Sequence, residues 1–253
     1  MRLASFGSGS RGNMTLLEAG ETRILVDCGF SCAEAVRRLQ RLGVDPSGID
    51  AILVTHEHSD HIAGVARFSR RFGTPVWMTA GTAAVHRNGA PAELCLFNSH
   101  LPFRVGEVEV QPFPVPHDAR EPAQFVFSHR GRRLGLLTDA GSVTPHMLEA
   151  LRDLDGLVLE SNHDPGMLAS GPYPPALRAR VGGDFGHLSN AQAADLLGRI
   201  DRGRLRWLLA AHLSEKNNHP DLARAALEPV LAGSRAQLRL ADQLVGSDWH
   251  PLD

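Results

Sequence analysis

The sequence is poor in cysteine and holds no long apolar run. Its three cysteines, Cys28, Cys32 and Cys95, form neither a disulfide framework nor a zinc-finger spacing, so we expect small core or surface residues in a reducing compartment. No stretch approaches the roughly 18 apolar residues of a membrane span, and the first residues lack the apolar core of a secretory signal. The expected location is therefore the cytoplasm, without a membrane partner.

Positive charge is not in excess either. The formal net charge is -2, which argues against the broad basic field of many nucleic-acid binders. Local arginine clusters could still form a basic patch on one face, although such clusters usually lie on solvated helix faces. The clusters are Arg37, Arg38 and Arg41; Arg67, Arg70 and Arg71; Arg178 and Arg180; and Arg199, Arg202, Arg204 and Arg206.

The chain shows no internal repeat, no low-complexity tract and no long linker. Its 253 residues are enough to bury a full hydrophobic core. A hydrophobic content of 43% and a charged content of 21% are ordinary for a soluble globular protein. We therefore predict a single domain over residues 1–253.

A short polar segment directly after the apolar run 51–54 is rich in metal-binding side chains. It contains three histidines and an aspartate within seven residues. His56 and His58 should share one side of an extended segment, because side chains alternate there. Asp60 and His61 should point from the following turn toward a neighbouring position. Two metal ions about 3.5–4 Å apart would suit this division better than one.

Alternation of strands and helices continues along the chain. Antiparallel strands are predicted at 3–6, 14–18 and 23–27, and a helix at 33–42. A helix capped by Ser59 or Asp60 should follow the histidine segment. Further strands and helices are predicted up to a last strand at 237–241. Two mixed sheets packed face to face, with helices outside, would satisfy this order.

Four later segments place a ligand-capable side chain after an apolar run or at a helix start. They carry His117, Asp139, His187 and His212. A lone histidine is more often a hydrogen-bonded loop residue, so each segment alone is a weak signal. Together, and in this order, they are specific.

These motifs resemble the metallo-β-lactamase superfamily, over nearly the whole chain. The resemblance implies an α/β fold, the αββα sandwich of two mixed β-sheets flanked by helices. Five segments are similar, more narrowly, to the YycJ/WalJ-like subgroup, which is exonuclease-like and related to tRNase Z and the phosphodiesterase PhnP. They are 8–13, 160–164, 171–174, 186–190 and 212–218.

The resemblance implies a set of metal ligands. The first metal would be held by His56, His58 and His117, the second by Asp60, His61 and His212, and Asp139 would bridge the two. Five imidazoles and two carboxylates suit zinc, while manganese or iron would also fit because no thiolate enforces a soft ion. We therefore expect two divalent ions, with zinc as the first choice.

Catalytic roles follow from the same resemblance. His187 occupies the place of a proton donor in tRNase Z, although the motif here is His-Leu-Ser. Glu160 would orient this histidine, and Asp60 is counted with them as a catalytic residue. Asp27 is assigned support of the metal loop from beneath.

Substrate contacts are the least defined part of the predicted site. The turn 8–13 is either an anion-binding nest of backbone amides with Arg11 or a hairpin turn chosen for backbone freedom. His163 either touches substrate or metal or is structural. The residues predicted to bind substrate are Ser10, Arg11, Asn13, His163 and Asn217.

The leading hypothesis is a binuclear metal-dependent phosphodiesterase that acts on nucleic-acid ends, as a DNA exonuclease does, with a hydroxide shared by the metals as nucleophile. One alternative is a hydrolase of a small phosphodiester or another ester. A second, of another class, is a non-catalytic metal-binding regulatory protein. The stretch between Asp139 and His187 is too short for the inserted domain of β-CASP nucleases, and no tRNA-binding arm is present.

Overall fold

The computed structural model describes residues 1–252, which form two β-sheets with helices on their outer faces. The strands are β1 Arg2–Gly7, β2 Met14–Ala19, β3 Thr22–Val26, β4 Ala51–Leu53, β5 Val76–Thr79, β6 Leu94–Phe97, β7 Phe103–Val105, β8 Val108–Pro114, β9 Ala123–His129, β10 Arg132–Leu137, β11 Gly156–Glu160, β12 Trp207–Ala211, β13 Gln237–Leu240 and β14 His250–Pro251. The helices are α1 Cys32–Arg41, α2 Ser59–Ile62, α3 Val65–Phe72, α4 Ala80–Val85, α5 Pro145–Ala150, α6 Pro165–Ser170, α7 Pro175–Val181, α8 Asn190–Arg199 and α9 Pro220–Leu231. A short 3-10 helix spans Pro46–Gly48.

Each sheet has seven strands in a simple order. The first runs β14-β1-β2-β3-β4-β5-β6, and the second runs β13-β12-β11-β10-β9-β8-β7. Both are mixed: β3 to β6 are parallel in the first sheet and β10 to β13 in the second, while the other pairings are antiparallel. The predicted αββα sandwich is confirmed.

Three apolar clusters hold the four layers together. One lies between the two sheets and includes Leu53, Phe125 and Leu209. A second packs the second sheet against α5, α8 and α9, and a third packs the first sheet against α1 and α3. Strands β11 and β12 are buried along their whole length, because each sheet is covered on both faces. Continuous apolar runs in the sequence predict strands of this kind.

The helix after the histidine segment differs from the prediction. His58, and not Ser59 or Asp60, is the N-cap of α2, and it makes no side-chain capping hydrogen bond. The helix also stops at Ile62 and resumes as α3 after Gly64. A side chain on Gly64 would lie 1.9 Å from the Phe30 carbonyl oxygen, so the interruption accommodates a close backbone approach. Because Asp60 does not cap the helix, its side chain can point into the site.

Other elements were not foreseen. The sequence pattern predicted neither the short helices α6 and α7 nor the strand β6. All three cysteines are free; Cys28 and Cys32 are buried, and Cys95 is partly exposed. None of the helices in residues 1–252 combines the length and apolar character needed to cross a membrane.

Candidate metal centre

The site lies where the carboxyl ends of strands from both sheets meet. The segment after β4 brings His56, His58, Asp60 and His61 from the first sheet. From the second sheet come three more residues at or just beyond strand ends, His117 after β8, Asp139 after β10 and His212 after β12. Carboxyl ends of parallel strands are the usual position of sites in α/β sheets. The seven residues predicted as ligands are thus brought to one place.

His56, His58 and His117 converge in the first group. The Nε2 atom of His117 lies 3.3 Å from Nδ1 of His58. The other ring nitrogens have protein partners: Nδ1 of His117 lies 3.0 Å from the Gly186 carbonyl, and Nε2 of His58 lies 3.2 Å from the Asp118 carbonyl. Two nitrogens that bind one tetrahedral zinc at about 2.0–2.1 Å lie about 3.3 Å apart. The spacing therefore fits a shared zinc ion.

Asp60, His61 and His212 converge in the second group, next to Asp139. Nε2 of His61 lies 3.3 Å from Asp139 Oδ2 and 3.4 Å from Asp60 Oδ2. Nε2 of His212 lies 3.9 Å from the same Asp60 oxygen. Asp139 lies between this group and His56, since His56, His61 and Asp139 also form a set that could hold an ion.

Three buried atoms at the centre have no hydrogen-bond partner among the described residues. They are Nε2 of His56, Oδ2 of Asp139 and Nε2 of His212. Leaving a buried polar atom unpaired costs about 1–3 kcal/mol, and here three such atoms belong to the convergent groups. A cation would satisfy all of them, so the donor set fits divalent metal ions.

A further set of ligand-capable atoms is better explained as a hydrogen-bond network. Asp139, Glu160, His187 and His212 also lie close enough to hold an ion. However, Nδ1 of His187 and Nδ1 of His212 lie 2.8 and 3.0 Å from Glu160 Oε1, which already pairs them. The free Nε2 atom of His212 faces the Asp60 side instead.

The electrostatics of the metal-free cluster show how strongly it attracts positive charge. Burial alone lowers the pKa of His212, but the carboxylates of Asp139, Asp60 and Glu160 outweigh burial and raise this pKa to about 10. Burial would raise the pKa of Asp139, yet His212 and His61 bring it below its ordinary value. The pKa of His56 is lowered, by burial first and then by His61 and His117. Protons on His61 and His212 thus stand where cations would bind, and a metal ion would displace them.

Two buried carboxylates support the ligands from behind. Asp27 Oδ2 lies 2.8 Å from His61 Nδ1, and its oxygens accept hydrogen bonds from the Thr55 amide and hydroxyl. Glu160 accepts from the backbone amides of Ala140 and Leu188 through Oε2, besides its two histidines. Such partners fix ring orientation and tautomer in metal sites.

The backbone at the site is locally strained. Asp27, Asp139 and His212 have φ angles of 59°, 55° and 55°, in the left-handed region that side chains other than glycine seldom adopt. Each conformation costs on the order of 1–3 kcal/mol. Asp27 and His212 directly follow the ends of β3 and β12, and Asp139 lies two residues beyond the end of β10, so all three side chains leave the sheets from turns at strand ends.

A cavity of about 350 Å³ opens above the cluster. Ser10, His58, Asp60, Asp139, His187 and His212 line it, together with Asp118, Asn162, Leu213 and Ser214 and with Tyr173, Leu177, Arg180 and Val181 around α7. The predicted proton donor His187 thus faces the cavity while its Nδ1 is held by Glu160.

Of the residues predicted to bind substrate, Ser10 is the one on the cavity wall. Arg11 points elsewhere and pairs with Glu215, at 2.7 Å between Nη2 and Oε2. Asn13 is buried and lies 3.0 Å from His61 Nε2 and 3.2 Å from Asp60 Oδ2, so it supports ligands from within. His163 and Asn217 are buried outside the cavity lining. We therefore propose no direct substrate contact for Arg11, Asn13, His163 or Asn217.

Several residues on the cavity wall were not predicted as site residues, among them Asp118, Tyr173 and Arg180. Asp118 directly follows His117, while Tyr173 and Arg180 lie in the α6–α7 region. Arg180 pairs with Asp118. Of the arginine clusters noted in the sequence, this is the one that reaches the cavity lining. The sequence signals were the adjacency of Asp118 to His117, the subgroup-like segment 171–174 for Tyr173 and the arginine cluster for Arg180, but none of them indicated that these residues reach the site.

Comparisons with known proteins agree on the family. A family model described as a beta-lactamase superfamily domain matches residues 22–208. Exodeoxyribonuclease YycJ of Bacillus anthracis is 34% identical over 235 residues, covering 91% of this chain and 89% of the relative. Exodeoxyribonuclease WalJ of Streptococcus pneumoniae is 33% identical over 252 residues, covering 97% and 91%.

A solved structure supports the fold. The metallo-beta-lactamase fold protein YhfI from Bacillus subtilis superposes with a TM-score of 0.75 at 16% identity, covering 99% of each chain. The matched model spans most of this chain, and the sequence relatives cover nearly all of it. The chain therefore belongs to the metallo-β-lactamase superfamily and, within it, to the family of YycJ and WalJ.

Proposed function

We propose that the protein is a binuclear metal-dependent phosphodiesterase that removes nucleotides from DNA ends. The observation that carries this proposal is the paired ligand arrangement, with Asp139 between two groups of three residues and three buried ligand atoms unpaired. Under the proposal, His56, His58 and His117 hold one ion and Asp60, His61 and His212 hold the other. Zinc is the expected ion, given the imidazole-rich set.

When bound, two divalent ions would lower the pKa of a water molecule and neutralise charge on a phosphoryl oxygen. The remaining step is delivery of a proton to the leaving oxygen, which we assign to His187. Glu160 Oε1 accepts the Nδ1 proton of His187 at 2.8 Å and fixes the orientation of the ring. Nε2 then gives its proton to the leaving oxygen, and the neutral ring keeps its hydrogen bond to Glu160.

DNA as substrate is supported by the names of the two sequence relatives, both exodeoxyribonucleases. A small phosphodiester is the competing substrate, which the formal charge of -2 would suit equally well. The salt dependence of binding distinguishes the two substrate classes. Each phosphate contact to a single strand contributes about 0.7 to the slope of log affinity against log salt. A nucleic-acid substrate should give a steep slope, and a small phosphodiester a shallow one.

The test is cleavage by protein reconstituted with zinc or manganese. Labelled single- and double-stranded DNA, RNA and bis-p-nitrophenyl phosphate are compared, with the Asp139→Asn variant as a control for contaminating nuclease. Stepwise shortening of DNA from one end supports the proposal. Hydrolysis of bis-p-nitrophenyl phosphate alone would favour a small substrate, and fully metallated protein inert on every substrate would indicate a non-catalytic role.

A further inference from the structure

We propose that Arg180 binds the phosphate next to the scissile one and that Asp118 holds its guanidinium in place until substrate arrives. The inference rests on the proposed function, because it names a substrate contact of the same site. It makes the site selective for chains with at least two phosphates.

Arg180 is the lone permanent cation among the described residues that line the cavity. The same wall carries three carboxylates, from Asp60, Asp118 and Asp139. Under the proposed function, Asp60 and Asp139 would be offset by the ions they hold, and the scissile phosphate would bind there. A second phosphate would then have Arg180 as its cationic partner.

The ion pair between Arg180 and Asp118 is exposed enough to be exchanged. The side chain of Arg180 is 58% exposed and that of Asp118 is 29% exposed, so water screens their attraction. Asp118 accepts from Arg180 Nε through one oxygen, whereas a phosphate can accept two parallel hydrogen bonds from a guanidinium and so competes with this single contact. Arg180 can therefore pass from Asp118 to substrate at small cost.

Asp118 places this arginine close to the first metal group. Its Oδ2 accepts from Arg180, while its Oδ1 lies 3.7 Å from His58 Nε2 and 3.6 Å from His117 Nε2. One carboxylate thus separates the guanidinium from two candidate ligands. The guanidinium is thus in a suitable position to bind the phosphate next to the one held at the metals.

The backbone around Arg180 is tied to the proton donor. The amide of His187 donates to the Val181 carbonyl at 2.9 Å. A Cβ on Gly186 would lie 2.2 Å from the carbonyl oxygens of both Arg180 and Val181, so the end of α7 packs directly on the 186–187 backbone. Arg180 and His187 therefore keep a fixed relation across the cavity.

The backbone of an exposed aromatic residue contacts the Asp118 side of the same ion pair. Phe185 is 63% exposed, and its carbonyl accepts from the Asp118 amide at 3.0 Å. Bases of single-stranded nucleic acid stack on such rings. Phe185 would thus offer a base a stacking surface on the segment whose backbone is bonded to Asp118.

The size of the cavity limits how much nucleic acid can enter it. The cavity holds about 350 Å³, at the lower end of the roughly 300–1,000 Å³ of small-ligand sites. A space of this size can take the terminal part of one strand, and not both strands of a duplex end together. The occupant we infer is the terminal segment of a single strand.

The experiment measures binding and cleavage separately. Binding of a fluorescent single-stranded DNA decamer to metal-loaded protein is followed by anisotropy over a salt series, in a His187→Ala background that slows cleavage. The variants are Arg180→Ala, Asp118→Asn and the double change, with Arg152→Ala as the matched control. Arg152 is an arginine 65% exposed in an ion pair with Glu149 and lies outside the cavity lining.

We expect Arg180→Ala to weaken decamer affinity by about 10-fold, the effect of losing one charge-assisted contact, and to reduce the salt slope by about 0.7. Asp118→Asn should tighten binding several-fold, because the competing carboxylate is gone, and the double variant should behave like Arg180→Ala. Arg152→Ala should match the parent. Metal content is measured for every variant.

The second measurement is cleavage, made on the same variants with His187 intact. The preference for a decamer over a dinucleoside monophosphate, taken as the ratio of kcat/KM values, should fall about 10-fold in Arg180→Ala. If Arg180 only anchors α7 through Asp118, the Arg180 and Asp118 variants will weaken binding together, and the inference is wrong. An unchanged salt slope in Arg180→Ala overturns it as well. Absence of cleavage in the parent protein would refute the proposed function, while the anisotropy series would still decide the role of Arg180.

Discussion

Asp27 and His61 are joined by a buried hydrogen bond, 2.8 Å between Oδ2 and Nδ1. The contact leaves Nε2 of His61 as the atom directed at Asp60 and Asp139. Asp27 is itself fixed by two hydrogen bonds from Thr55. A residue in the first sheet thereby sets the tautomer of a candidate ligand in the second metal group.

Asp27→Asn should lower metal affinity by about 10–100-fold, the usual effect of losing a carboxylate that orients a ligand histidine. Asparagine tolerates the left-handed backbone at this position, so the fold should persist. The measurement is zinc titration with a competing chelator. Asp153→Asn is the matched control, because Asp153 has a φ of 54° and is exposed outside the site. Equal affinities in both variants would remove Asp27 from the supporting role.

His187→Ala should reduce turnover by about 10²–10⁴ if His187 supplies the proton to the leaving oxygen. Metal content should stay at the parent value, because the ring nitrogen near the cluster is bonded to Glu160. Steady-state kinetics and metal analysis on the same preparation check both points. His146→Ala, at an exposed position of α5, is the control. Loss of metal from the His187 variant would reassign His187 as a ligand.

Glu160→Gln should damage stability and turnover together. Glu160 is fully buried and accepts four hydrogen bonds, two at each oxygen. A glutamine presents its amide N–H groups to two of those donors, so the free energy of unfolding should fall by about 3–5 kcal/mol. Turnover should fall by at least about 10²-fold, since His187 loses its partner. Urea denaturation and kinetics test this, with Glu228→Gln on the exposed face of α9 as control.

The metal-free protein should lose stability as the pH rises from about 6.5 to 10. The pKa of His212 is raised from its ordinary 6.5 to about 10 in the fold, so its protonation stabilises the folded state fully below 6.5 and not above 10. Urea denaturation with a chelator present, at several pH values, measures the trend. A free energy of unfolding that stays level or rises over this range would contradict the assignment.

The metal-free protein should also lose stability in acid. The pKa values of Asp139 and Glu160 are lowered, chiefly by His212 and by His187 respectively, against the raising effect of burial. Carboxylates with lowered pKa values stabilise the fold above their ordinary values and lose that contribution as the pH falls below about 4. The metal-free protein should accordingly be most stable between about pH 5 and 6.5.

Much of the fold could be predicted from the sequence because its strands coincide with apolar runs. Strands buried on both faces, such as β11 and β12, need continuous apolar residues, and the ends of these runs also marked where Glu160 and His212 would stand. The seven residues that converge at the site all follow such runs closely. Local sequence was sufficient for them because the strand end itself sets their position.

The rest of the site depends on contacts that leave no local pattern. Asn13 and Asn217 have polar side chains of the kind found at surfaces, yet both are buried by packing from distant segments. Asn217 lies beneath the α6–α7 turn, where a Cβ on Gly171 would come within 2.3 Å of its Oδ1. The helices that bring Tyr173 and Arg180 to the cavity are six and seven residues long, too short for a helical period to emerge.

The division of the candidate ligands between the two sheets has a mechanical consequence. Ions held as proposed would cross-link chain segments as far apart as residues 56 and 212, and so would fasten one sheet to the other at the rim of their shared core. Neither half of the chain could bind them alone, and ion affinity would report how well the halves are docked. Substitutions between the sheets, far from any ligand, should therefore weaken metal retention, and chelation should lower the melting temperature of the whole molecule.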